Sequence, residues 1–162
     1  MAQLAANRPV PNTLQQRLDL AGGVVLDMEM TVSITIYEGA FVGIVPGTGT
    51  VEPLVDTHSF AGIALEKKTS SATAGATRIK VFCGGYFRHA VTSLVVADVG
   101  KTAFCVSGTS DSSLDITSTT LPAVGRIVNF VSAGVGIIKM KHCGRREGSS
   151  DAATLTYTAV EL

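Results

Sequence analysis

The segment Thr31-Val32-Ser33-Ile34-Thr35-Ile36-Tyr37 alternates strictly between polar and apolar residues. A period of two places Val32, Ile34 and Ile36 on one face of an extended chain and Thr31, Ser33 and Thr35 on the other. That is the pattern of a strand with one buried side. From Val24 onward similar short runs recur at 41–45, 60–65, 78–83, 102–106, 114–117, 126–131 and 136–141. Between them lie turn-forming clusters, among them Pro46-Gly47-Thr48-Gly49, Thr73-Ala74-Gly75, Gly108-Thr109-Ser110-Asp111 and Ala133-Gly134. Many short strands at near-regular spacing predict an all-β fold, a small barrel or a sandwich. Residues 92–99 form the best helical candidate, a short turn with Ser93 as cap and Gly100 as stop. Val95, Val96 and Val99 are poor helix formers, so no regular helix is expected.

The pattern divides the chain into three parts: an extended N-terminal arm at 1–20, a β-barrel core at 21–143, and a C-terminal link and strand at 144–162. Pro9 and Pro11 fix the local backbone and bar a helix in the arm. At about 3 Å per residue, its first sixteen residues reach roughly 50 Å, enough to touch another protein. Leu4 and Val10 are its apolar anchors, and Arg8 and Arg17 are able to pair with carboxylates on a partner. A frayed terminus is the plain alternative. After the polar link, Thr154-Leu155-Thr156-Tyr157-Thr158-Ala159-Val160 alternates again; such a terminal strand can pair at home or on a neighbour.

Composition narrows the partners. Charged residues make up 16% of the 162 and hydrophobic ones 46%, against about 25% charged in ordinary domains. A chain this short of charge covers itself poorly with solvated groups, so docking against protein, in a homotrimer or secondarily a homodimer, is expected. Thirteen basic residues balance thirteen acidic ones, which leaves no net field to attract nucleic acid or an anionic membrane. The longest apolar stretches fall far short of the roughly 20 residues of a membrane span. Cys83, Cys105 and Cys143 are odd in number and widely spaced, and the N-terminus has no secretory pattern. Folding in a reducing cytoplasm, with the thiols packed as small hydrophobes, is the expectation.

No motif points to catalysis, a cofactor or a metal. Gly100-Lys101-Thr102 has the ending of a phosphate-binding loop, but Val95 stands where that loop needs its first glycine. His142 and Cys143 are adjacent and so point to opposite faces of an extended chain; His58, His89 and Cys83 meet only if the fold brings them together. Asp27, Glu29, Glu38, Glu52 and Glu66 lie beside or within strand candidates and form no evident acid–base couple. The strongest competing signal is Arg78-Ile79-Lys80-Val81-Phe82-Cys83-Gly84-Gly85-Tyr86-Phe87-Arg88-His89. It interleaves basic and aromatic residues as single-strand nucleic-acid platforms do. Its alternation equally describes a half-buried strand entering a glycine bend.

Five segments together resemble the decoration, or cement, proteins of tailed phages. They are Tyr37-Glu38-Gly39-Ala40-Phe41-Val42-Gly43-Ile44-Val45, Phe60-Ala61-Gly62-Ile63-Ala64-Leu65, Ile79-Lys80-Val81-Phe82-Cys83-Gly84-Gly85-Tyr86-Phe87, Asp98-Val99-Gly100-Lys101-Thr102-Ala103-Phe104-Cys105-Val106 and Val124-Gly125-Arg126-Ile127-Val128. The resemblance runs from about Tyr37 to Met140 and rests on turns and hydrophobics. It implies a small β-barrel, often trimeric, that binds the major capsid protein on the outer surface of the virion and stabilises the head where capsomers meet, without enzymatic activity or cofactor. The arm and the segment after Lys141 depart from the smaller members. Two other classes share the strand pattern: a tail or baseplate barrel module or fibre-attachment protein, and a single-stranded nucleic-acid-binding barrel.

Overall fold

The computed structural model describes residues 24–106, 113–118 and 120–141. The arm residues Leu4, Arg8, Pro9, Val10, Pro11 and Arg17, together with His142, Cys143 and the strand expected at 154–160, lie outside the described residues. Among the described residues there are twelve strands and one 3-10 turn, Val96–Asp98, so the fold is all-β. The strands are β1 (Val24–Glu29), β2 (Thr35–Ile36), β3 (Phe41–Ile44), β4 (Val51–Pro53), β5 (Ser59–Ala64), β6 (Lys68–Thr69), β7 (Arg78–Cys83), β8 (Tyr86–Ala90), β9 (Thr102–Cys105), β10 (Leu114–Asp115), β11 (Ala123–Ser132) and β12 (Val135–Met140).

Two five-stranded sheets, in the orders β1-β7-β5-β3-β4 and β10-β9-β11-β12-β8, pack against each other, and β2 pairs with β6 in a third, small sheet. The architecture is a sandwich; the barrel alternative is not realised. The first sheet curls until Met30, just past β1, bridges Val51 of β4, but that single bridge does not close it. At Gly84-Gly85, both with positive φ, the chain leaves β7 and enters β8 of the second sheet. A left-handed pair costs glycine little and any other residue more.

Alternation along the first sheet feeds two cores. Phe41, Ile63 and Phe82 face the second sheet and meet Phe87, Ile127, Ile138 and Met140 there. Their chain neighbours Val42, Ala64, Val81 and Cys83 point the other way, to a second cluster with Met30 and Ile36. Strands buried on both faces read as continuous apolar runs, which is why Phe60-Ala61-Gly62-Ile63-Ala64 shows little alternation in sequence.

The segment 31–37 departs from its expectation. Instead of one long strand, it turns at Val32 and Ser33, where Ser33 has φ +56°, and only Thr35–Ile36 pairs as a strand. The cause is tertiary. The buried Ser70 hydroxyl donates to the Thr31 carbonyl at 2.6 Å and accepts from the Ile34 N–H at 2.9 Å, while Ser33 N–H donates to the Ser71 carbonyl at 3.0 Å. Hydroxyl capping of this kind competes with a sheet ladder. Ile36 stays in the core while Val32 is exposed.

Candidate interaction surfaces

Among the described residues no three His, Cys, Asp or Glu side chains gather in a metal-binding arrangement. His89 is stacked on Phe41 at 5.1 Å and holds the Ala90 carbonyl through Nδ1 at 2.9 Å. His58 is buried under Gly43, with Nε2 3.3 Å from Glu52 Oε1 and Nδ1 without a hydrogen-bond partner. A Cβ on Gly43 would lie 2.6 Å from His58 Cβ, so that glycine makes room for the imidazole. The Cys83 thiol is buried and donates to the Val81 carbonyl at 3.7 Å; Cys105 is buried in the other core. Asp27 and Glu29 face Lys80 and Arg78 across the β1–β7 ladder, and Glu66 accepts the Lys80 N–H at 3.1 Å. Asp27, Glu66, Lys68, Arg78 and Lys80 edge an open groove of about 660 Å³. Its charges are mixed, which gives it no preference for either sign.

The basic-aromatic stretch is divided by the fold. Arg78 and Lys80 lie exposed on β7, Tyr86 and Arg88 lie exposed on β8 in the other sheet, and Phe82 and Phe87 are buried between the sheets. A stacking platform needs its rings accessible to bases. Here Tyr86 alone of these three rings is exposed.

Gly100-Lys101-Thr102 has a structural use. Gly100, with φ +96°, donates its N–H to the Ile127 carbonyl at 2.8 Å, and Ile127 N–H returns to the Lys101 carbonyl at 2.9 Å. Two residues thus oppose one, a bulge whose first position favours glycine. It starts β9 and fixes the approach of the preceding turn.

That turn is the most distinctive surface feature. Val95, Val96 and Val99 are 54%, 66% and 44% exposed, yet the backbone beneath them is held tightly. Asp98 folds under the turn, with one carboxylate oxygen accepting the Val95 N–H at 2.8 Å and the other accepting the Lys101 ammonium at 2.7 Å. The cap is therefore Asp98, not Ser93, whose φ is +55°. Gly134 N–H donates to the Leu94 carbonyl at 3.3 Å, tying the segment to the β11–β12 hairpin tip. Val128 and Val131 on β11 are exposed as well. Sequence reasoning passed over this surface; the available signal was a run of valines too poor in helix propensity for their place, closed by Asp-Val-Gly.

The hydrogen-bonded Lys101 ammonium, and next the Val95 N–H, hold the Asp98 carboxyl below the ordinary aspartate range. A folded-state pKa below the unfolded one adds stability at pH above the unfolded value, and that stability disappears as pH falls through the folded value. Asp98→Asn should therefore melt below wild type near pH 7, and the gap should narrow as pH falls through and below the ordinary aspartate range. Melting curves of the two proteins across that range check it; a gap independent of pH would remove the charged cap from the account.

Comparison with protein-family models, with curated proteins and with solved structures found no match.

Proposed function

We propose that the chain is a structural virion protein, a capsid decoration protein of a tailed phage. On this reading it docks on the outer capsid surface, contacts the major capsid protein and stabilises the seams between capsomers. The observation that carries the reading is the valine turn at 95–99. Three apolar side chains stand in solvent on a backbone locked by a buried carboxylate, so little conformational entropy is lost when a partner covers them. Pre-ordered apolar projections suit a protein partner. The low charge of the whole chain and the division of the basic-aromatic stretch between two sheets favour protein over nucleic acid. Each contact can be modest, because many copies on one shell act together. A homotrimer bridging several capsomers fits this use.

The test is sedimentation with expanded empty capsids of a tailed phage whose genome encodes the chain. Wild type should bind at a fixed ratio per capsomer and should ignore single-stranded DNA. Val96→Asp should weaken binding at least ~30-fold, which corresponds to about 2 kcal/mol. Its melting temperature should hold, since the side chain is exposed. Binding to tails or baseplates instead of heads would move the chain to a tail module, and undiminished binding by Val96→Asp would take the valine turn out of the interface.

A further inference from the structure

Strand β1 has the properties of an inner strand although it lies at an edge. Among the described residues it pairs only with β7. Val24, Val25 and Leu26 are 51%, 48% and 38% exposed, while their ladder partners Cys83, Phe82 and Val81 are buried. The alternation puts Val24, Leu26 and Met28 on the face of the second core and Val25 on the face of the first. Among the described residues both apolar layers thus stop at an edge that is open from Val24 to Met28, up to the Met30–Val51 bridge, the arrangement that natural sheets cover, charge or shorten.

Strand β12 ends near the Val24 end of β1, with β7 between them. Met140 N–H donates to the Gly85 carbonyl at 2.9 Å, and Gly85 is two residues past Cys83, the ladder partner of Val24. Residues 142–153 provide twelve residues of link, up to about 40 Å, whereas a six-residue strand such as β1 is roughly 20 Å long. The link can therefore run the length of β1 and return. A tether this short holds its end near β1 at millimolar effective concentration, which favours the chain's own segment over a neighbour's.

We propose that residues 154–160 add to β1 of the same chain as an antiparallel strand, with Tyr157 opposite Leu26. This register sets Leu155, Tyr157 and Ala159 against Met28, Leu26 and Val24. On the other face, Thr156 and Thr158 meet Asp27 and Val25, short of the Met30–Val51 bridge that closes the Glu29 end of the edge. The apolar set meets the apolar set and extends the second core by one strand; a slip of one residue would reverse every pairing. The antiparallel direction matches every ladder in the first sheet and keeps Glu161 away from Glu29.

The test uses the full chain carrying Cys143→Ser, in which Cys83 and Cys105 are buried. Leu26→Cys with Tyr157→Cys should oxidise to an intramolecular disulfide that migrates as a monomer, whereas Leu26→Cys with Thr158→Cys, one position out of register, should not. Independently, Tyr157→Asp should speed hydrogen exchange in the 24–29 peptide about tenfold at unchanged melting of the remaining sheet. A cross-linked dimer would assign the strand to a second copy. Absence of a cross-link with unchanged exchange would leave the edge to residues 1–23 or to another protein. Either result overturns the proposal, and neither bears on capsid binding, which is read separately.

Discussion

Gly125→Val should leave little folded protein, and even Gly125→Ala should cost more than about 4 kcal/mol, the exceptional end of single substitutions. Gly125 is in β11, between Ala103 of β9 and Met140 of β12, in the middle of the second sheet. A Cβ at this position would sit on the Lys139 carbonyl oxygen, with Ile138 Cγ2 at 2.8 Å. The first obstacle is backbone, which moves only if the ladder opens. The entropic gain from replacing glycine, about 0.4–1 kcal/mol, is too small to offset this. Gly47→Ala supplies the contrast. Gly47 has φ +89° but open space around it, so its cost is conformational strain of about 1–2 kcal/mol. Urea unfolding of both variants separates steric from conformational demand. A Gly125→Ala protein as stable as Gly47→Ala would mean that β11 and β12 are not packed as described.

Phe41→Ala should destabilise the protein by about 3–5 kcal/mol. Phe41 is buried on β3 and joins the two sheets through its ring. It meets Phe60 of its own sheet edge-on at 6.0 Å, Phe87 of the other sheet at 6.0 Å, and lies over His89. Removing it deletes burial, leaves a cavity between sheets that collapse only in part, and breaks aromatic pairs worth about 0.5–1.5 kcal/mol each. A double-mutant cycle with Phe87→Ala should return a coupling in that range. Val128→Ala, on an exposed stretch of β11, should stay within about 0.5 kcal/mol of wild type. A Phe41→Ala loss no larger than that would show the inter-sheet core to be loosely packed.

Strand positions were largely legible in the sequence. The expected run 78–83 coincides with β7, and the runs at 41–45, 60–65, 102–106 and 136–141 differ from β3, β5, β9 and β12 by a residue or so at their ends. Local chemistry sufficed because β-branched and aromatic residues were bounded by glycine and proline turns. Strand β1 alternates over Leu26-Asp27-Met28-Glu29, a run absent from the expected strands, and β8 lies within the basic-aromatic stretch at 78–89. The valine turn stayed hidden because its rigidity comes from a carboxylate three residues along that folds back beneath it.

By itself, then, the sequence determined the all-β class, most strand positions and the shortage of surface charge, because each depends on residue type and on spacings of a few positions. Tertiary structure alone decided the rest. It opened the sheet into a sandwich, broke 31–37 at Ser70, and split the basic-aromatic stretch between two sheets. It also stood Val95, Val96 and Val99 in solvent while burying Phe41, Phe82 and Phe87. Alternation states which residues share a face, but only the packing of one sheet on another states which faces are covered.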